Sequence, residues 1–242
     1  MIELSIVVTY YNSPDALRNH LEALSMLDKS SKSSIELVIV DDGSQDAPAF
    51  DVVENFGPVD FNLRLFRLVE DIPWNHRSAR NIGAHEAKNE HLLLLDIDTV
   101  IIPDLIQKAL VGVDFSDRAF YMLPRRDAIT GEVLKVHHDS LLIPKALFWE
   151  IGGYDENFAG YWGAGPFWLR RAEVAAQKRA LKHTVFLDWI GEKTADSQAK
   201  FRRKNNLIRR LRIRTLRFLL GLGIIRRKQL TYSYEIGDNG NS

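Results

Sequence analysis

Two acidic clusters sit where apolar runs end. Ile35-Glu-Leu-Val-Ile-Val40 stops at Asp41-Asp42-Gly43-Ser44, and His91-Leu-Leu-Leu-Leu95 stops at Asp96-Ile97-Asp98. Alternation along an extended segment puts Asp96 and Asp98 on one side of the chain. Two hard oxygen ligands there suit Mg²⁺ or Mn²⁺, which can share its remaining positions with phosphate oxygens. Asp41-Asp42-Gly43-Ser44 is read either as a turn and cap or as a ligand contact at a strand end. A triplet, His137-His138-Asp139, is read as a polar strand edge or as groups able to move a proton. Tyr161, Trp162, Phe167 and Trp168 follow a glycine-rich stretch and either stack on a sugar ring or pack in the core.

These residues need elements to hold them. Leu4 to Thr9 is a short apolar run read as a buried strand, and Ser13-Pro14 predicts a helix start with a hydroxyl cap and proline at the first helical position. Leu17, Leu21 and Leu24 give that helix one apolar face. Lys29 to Ser34 reads as a polar loop, Leu63 to Val69 as a third strand, and Ser78 to Ala87 as a helix before the leucine run. Strand and helix thus alternate four times in 112 residues, which predicts an α/β fold: a Rossmann-like, mixed, mostly parallel sheet flanked by helices. In such sheets ligands lie off the carboxyl ends of the strands, where the strand order reverses. Later elements are less regular: a strand at Ala119–Leu123, a helix over Ile143–Ile151 stopped by Gly152-Gly153, a helix over Pro166–Leu181, and a short strand from Thr184 to Leu187.

Composition narrows the class. Of 242 residues, 45% are hydrophobic and 26% charged, which excludes disordered and fibrous chains. There is no cysteine, so disulfide scaffolds, thiolate metal sites and cysteine nucleophiles are excluded together. No leader pattern opens the sequence, and the apolar run Phe218–Ile225 is far short of the roughly 20 residues of a spanning helix, so a cytoplasmic chain is expected. The zero net charge hides a split: residues 1–199 carry 20 Lys and Arg against 30 Asp and Glu, residues 200–242 carry 12 against 2. The basic stretch 200–228 has an apolar stripe at Leu207, Ile208 and Leu211. It is read as a helix that lies peripherally on an anionic membrane surface, docks on the acidic body or self-associates, with nucleic acid disfavoured. The expected division is 1–198 (1–112 and 113–198 as two halves) followed by a basic amphipathic helical tail, 199–242.

Four blocks, in order, resemble the nucleotide-sugar glycosyltransferases of family two, with the type-A fold. They are Ser5-Ile-Val-Val-Thr9-Tyr-Tyr-Asn12; Val38-Ile-Val-Asp41-Asp42-Gly43-Ser44; Trp74 through Ser78-Ala-Arg80-Asn81-Ile-Gly83 to Leu95-Asp96-Ile-Asp98; and Ile151-Gly152-Gly153-Tyr154-Asp155-Glu156-Asn-Phe158. The resemblance implies that Thr9 and Tyr11 border the nucleobase of a nucleoside diphosphate sugar donor. Asp41 would accept from uracil and Asp42 would hold the ribose end. Arg80 would lie near the donor with Asn81 anchoring its helix. Asp96 would face ribose or a divalent metal, and Asp98 would be the main metal ligand. His183 and Asp188 are the candidates for a third ligand. The reaction implied is inverting transfer to a hydroxyl of a glycan or lipid-linked acceptor, as in polysaccharide biosynthesis. One departure stands out: the stretch Gly160-Tyr-Trp-Gly-Ala-Gly165-Pro-Phe167 lacks the acid the family carries there. The acceptor base then falls to Asp155, Glu156, Asp139 or His137/His138, or the chain is a nucleotide-sugar or glycan-binding protein on the same fold.

Overall fold

The computed structural model describes residues 3–101, 103, 105–106, 113, 118–137, 139–161, 165–181, 186–190 and 206–237. In chain order the first half gives β1 (Leu4–Tyr10), α1 (Pro14–Ser25), α2 (Lys29–Ser33), β2 (Ile35–Asp41), α3 (Ala49–Phe56), β3 (Asn62–Leu68), α4 (His76–Glu86), β4 (His91–Asp96) and β5 (Thr99–Val100). Then come β6 (Ala119–Met122), β7 (Arg125–Asp127), β8 (Val133–Leu134), β9 (Leu141–Pro144), α5 (Lys145–Glu150), a 3₁₀ turn (Glu156–Phe158), α6 (Gly165–Ala175), β10 (Gln177–Ala180), β11 (Leu187–Trp189), α7 (Asn206–Gly221) and β12 (Tyr234–Ile236). His138, Trp162 and His183, and Thr184 and Val185 of the expected short strand, lie outside the described residues.

The main sheet has the order β10-β6-β9-β4-β1-β2-β3-β12. Strands β4, β1, β2 and β3 run parallel, β9 runs antiparallel to β4, and β12 antiparallel to β3. This sheet is continuous across residue 112. A smaller sheet, β5-β11-β7-β8, stands beside it. The first strands are buried along their whole length because both faces are covered. Alternate residues serve opposite faces: Ile6, Val8, Leu37 and Ile39 pack with Leu17 and Leu21 of α1, while Val7, Val38 and Val40 pack with Ala79 and Ile82 of α4. Helix α4 lies very close to the sheet, since a Cβ on Gly83 would come within 2.3 Å of Val7 Cγ1.

Several local expectations are corrected. Ser13 precedes α1, but its hydroxyl donates to the Tyr11 carbonyl (2.8 Å) and makes no cap bond, so Pro14 alone marks the start. The segment expected as a loop after residue 28 is the short α2, nucleated by Asp28, whose carboxylate accepts from the Ser31 N–H (2.8 Å). Ile143 and Pro144, expected to open the helix, end strand β9 instead, because Leu141–Ile143 fill the sheet between β4 and β6. Helix α6 ends at Ala175, and the polar run Gln177–Ala180 becomes an edge strand, where Lys and Arg are at home. The basic C-terminal segment is helical over Asn206–Gly221. Residues 226–237 then cross the body, with Val69 N–H donating to Ser233 (3.1 Å) and Gly237 N–H to Leu65 (2.8 Å) on either side of β12.

Buried His20 of α1 ties this scaffold to the second acidic cluster: its Nε2 lies 3.1 Å from the Ile97 carbonyl, so Nε2 carries the proton and donates. Burial pushes its pKa down to about 4, and the carbonyl only partly opposes this. Because the unfolded imidazole takes up a proton near pH 6.5 and the folded one does not, the stabilisation is full above pH 6.5 and is lost as pH falls toward 4. The expected loss is up to about 1.4 kcal/mol per pH unit in that window. Urea unfolding of the native chain and His20→Gln between pH 7 and 4 checks this: the variant should show a distinctly flatter pH profile.

Candidate active site

The strand order reverses between β1 and β4, and the parallel register aligns their ends: Thr9 sits beside Asp96, Tyr10 beside Asp41, and Asp41 beside Arg67. Carboxyl ends of three strands therefore meet at one crevice, the place where open α/β sheets take ligands. Buried Asp41 accepts from the Ser44 N–H and the Ala49 N–H, both at 2.8 Å, and so shapes the loop after β2. Burial pushes its carboxyl above the ordinary carboxylate value, against the pull of these bonds. Asp42 accepts from the Asn75 N–H (3.0 Å), which links that loop to the start of α4. Thr9 is buried at the strand end, while half-buried Tyr11 reaches Asp71 (3.4 Å).

Arg80 is the centre of charge. Its side chain is wholly buried, with Nη2 2.5 Å from Asp96 Oδ1 and Nη1 3.0 Å from Asp139 Oδ1. Asp96 also meets His137 Nδ1 through Oδ2 at 2.7 Å. Burial would raise the Asp96 carboxyl, but Arg80 and then His137 overcome it and hold Asp96 well below the carboxylate range. Burial would lower the His137 imidazole, but the Asp96 charge and the bond to it outweigh burial and hold it above its ordinary value. Ligand atoms of Asp96, His137 and Asp139 lie within 4.8 Å of one another, a grouping that could hold a metal ion. Two carboxylates and an imidazole suit Mn²⁺ well and Mg²⁺ through the carboxylates.

Of the expected metal ligands, Asp96 stands in this group, and Asp98 and Asp188 make other contacts. Asp98 is outside this group: its carboxylate accepts from the Trp189 indole (2.9 Å) and the Thr99 hydroxyl (3.1 Å), because β11 pairs with β5 and brings Trp189 opposite Thr99. Burial, then the Asp96 charge, raises its carboxyl above the ordinary value. Asp188 is ion-paired with Arg126 of the neighbouring strand (2.7 Å), so it too stands apart. His137 is the partner that Asp96 has instead. His137 and Asp139 reach Asp96 from the turn before β9, where the Ser140 N–H donates to the His137 carbonyl (3.4 Å).

The Gly152-Gly153-Tyr154-Asp155-Glu156 block packs under α4. Asn81 donates to the Tyr154 carbonyl and to Glu156 Oε1, both at 2.8 Å, and accepts from the Tyr154 N–H at 2.9 Å. Glu156, a candidate base, is given over to bracing: besides Asn81, its two oxygens accept from the N–H groups of Leu230 and Thr231 and the Thr231 hydroxyl. Asp155 caps the 3₁₀ turn through Oδ1, which takes the Asn157 N–H (3.1 Å) and the Lys228 N–H (3.3 Å). Asp139 is the candidate base that the fold brings to the charged centre. Of the aromatic residues, Trp168 is core, packed on Phe148 and Tyr154, while Phe167 sits half-buried under the Arg217 guanidinium (4.4 Å).

Comparison with known proteins agrees with this fold. The model of glycosyl transferase family 2 matches residues 5–177. An uncharacterized glycosyltransferase of Haemophilus influenzae is 33% identical over 109 residues, covering 44% of this chain and 40% of that protein. Among solved structures, S. aureus TarS residues 1–349 in complex with UDP-GlcNAc superposes with a TM-score of 0.66 at 17% identity, over 82% of this chain and 61% of that one. The mannosyltransferase PcManGT of Pyrobaculum calidifontis, in complex with GDP-Man and Mn²⁺, gives 0.62 at 17% identity, over 83% and 60%. The chain thus spans between 40% and 61% of the length of these proteins.

Proposed function

The chain belongs to glycosyl transferase family 2, and on that premise we propose that it transfers a sugar, with inversion, from a uridine diphosphate donor to a hydroxyl of a glycan or lipid-linked acceptor. The observation that carries this reading is the meeting of Thr9, Asp41 and Asp96 at the strand-order reversal, with a buried guanidinium and a carboxylate–imidazole group around Asp96. In it the uridine lies over the ends of β1 and β2, bordered by Thr9 and Tyr11 and read by Asp41 and Asp42. Asp96, His137 and Asp139 would hold Mn²⁺ or Mg²⁺, whose chemistry is to neutralise the charge that grows on the departing diphosphate. Arg80 fixes both carboxylates and adds its own charge to the same end of the crevice. The acceptor hydroxyl needs a carboxylate within hydrogen-bond reach, and with Asp139 committed to the metal that role falls to Asp155, whose Oδ2 takes no hydrogen bond among the described residues. Exposed Leu211 and Phe218 among the arginines of α7 favour a peripheral seat on an anionic membrane for the cytoplasmic enzyme; among the described residues no helix is long and apolar enough to cross a membrane.

A binding protein without turnover is the second reading, favoured by the missing acid between Gly160 and Phe167. Thermal shifts with UDP and GDP, with and without Mn²⁺, test the nucleotide and the metal together. UDP at a hundred times its Kd should add about 2.7 kcal/mol of stability. Asp96→Asn should abolish the Mn²⁺-dependent part, while Asp98→Asn should keep it. A preference for GDP, or an undiminished Mn²⁺ response in Asp96→Asn, would overturn the assignment. Release of UDP from a UDP-sugar in the presence of an acceptor separates the enzyme from the binding protein.

A further inference from the structure

A cavity of about 290 Å³ lies between α4, the 3₁₀ turn, α6 and the end of α7. Five arginines line it, residues 77, 170, 171, 217 and 227, against one acid, Asp155. The rest of its wall is aromatic or apolar, with Tyr154 and Trp168 prominent. Ligand sites share this pattern of apolar walls with a few convergent polar groups.

The polar atoms around it are incompletely used. Arg77 is 3% exposed, and its Nη1 donates to the Tyr161 carbonyl (3.1 Å), but its Nε is buried with no acceptor among the described residues. Arg171 donates through Nη2 to the Gly153 carbonyl, and its Nε is likewise buried without an acceptor. The Trp168 indole N–H is a third orphan donor. On the other side Asp155 Oδ2 is buried and takes no hydrogen bond among the described residues, since Oδ1 does the capping. Buried polar groups are normally paired, and leaving one without a partner is destabilising. Three orphan donors and one orphan acceptor belong to residues that line this one cavity. The electrostatics agree: burial, then the charge of Arg227, lowers Arg171 to about 10, and burial lowers Arg77 to about 10, so both stay cationic in a site short of negative charge.

We propose that this cavity binds a phosphate ester that also carries a hydroxyl, the phosphate on the arginines and the hydroxyl on Asp155. Arginine suits a phosphate through its planar fork of donors. A carboxylate flanked by those arginines would repel a bare anion but accept from an alcohol. The cavity shares Tyr154 with the charged centre, where the Tyr154 hydroxyl lies 3.5 Å from Arg80 Nη1. It therefore adjoins the donor crevice, and the ester is the acceptor of the transfer. That last identification rests on the transferase reading; the binding does not.

Isothermal titration of the full chain with sn-glycerol 3-phosphate, inorganic phosphate and glycerol, each with and without saturating UDP, tests this. Glycerol 3-phosphate should bind, more tightly than inorganic phosphate, and UDP should not displace it. The double variant Arg217→Glu/Arg227→Glu, two exposed positions, should weaken it at least tenfold with UDP affinity unchanged. Arg217→Ala, checked for an unchanged circular dichroism spectrum, should give a smaller loss, and Asp155→Asn should weaken glycerol 3-phosphate while sparing inorganic phosphate. Equal affinity of the native chain and the double variant, equal or tighter binding of inorganic phosphate, competition with UDP, or no binding at all would each overturn the proposal. If UDP does not bind, the transferase reading fails, and the titrations without UDP still decide the cavity.

Discussion

Arg80→Met destabilises the folded protein by about 3–5 kcal/mol in the absence of divalent cations, as removal of one partner from a buried ion pair does. The guanidinium is wholly buried and ion-pairs with both Asp96 and Asp139, beside the His137 imidazole on Asp96. Without it two carboxylates remain within reach of each other, and one must take up a proton or leave the interior. The variant should therefore lose stability most at pH 8 and regain part of it toward pH 5. Mn²⁺ should restore more stability to Arg80→Met than to the native chain, since a cation on Asp96, His137 and Asp139 replaces the missing charge. Chemical denaturation in EDTA and in Mn²⁺ checks both parts. Equal Mn²⁺ responses would remove the case for a cation at that group.

Glu156→Ala is the second large effect. Four groups lose their acceptor at once: the Asn81 amide, the N–H groups of Leu230 and Thr231, and the Thr231 hydroxyl. Hydrogen bonds to a charged group contribute about 1.5–3 kcal/mol each and are not additive here, so a loss of about 3 kcal/mol or more is expected. The damage should concentrate in residues 226–237, which Glu156 ties to α4. Trypsin should cut at Arg226–Lys228 far faster in Glu156→Ala than in the native chain. Glu156→Gln, which keeps one carbonyl oxygen, should fall between. A loss of turnover in Glu156→Gln with native protease resistance would instead restore the residue as a base.

Two strand ends were legible in the sequence because an apolar run stopped by acids is a local pattern, and the sheet follows from four apolar runs separated by helices. The partner of Asp96 was not, because His137 arrives through β9 from far along the chain, and nothing local to Asp96 announces it. The fate of Asp98 depended on Trp189 for the same reason. The C-terminal strap was invisible for a different cause. Its ties are the N–H groups of residues 228, 230 and 231 on Asp155 and Glu156, and every residue but proline owns such a donor. Charge asymmetry marked the basic segment from residue 200 but carried no trace of where residues 226–237 land. The short hydroxyl-before-proline signal at Ser13 shows the converse, a correct helix start reached through a cap bond that the hydroxyl spends on Tyr11 instead.

The pairing of β12 with β3 closes the edge of the main sheet with nearly the last described residues of the chain. During synthesis β3 emerges early, and its free row of N–H and C=O groups stays open until residues 234–236 have left the ribosome. Non-local pairings of this kind slow folding, and an open strand edge invites association with another chain in the meantime. A nascent chain stalled before residue 230 would thus hold a nearly complete nucleotide-side core beside a sticky margin. Chaperone capture of stalled chains should fall sharply once the last dozen residues are released, and a truncation ending near residue 225 should aggregate during expression even though every residue of the strand-end cluster is present.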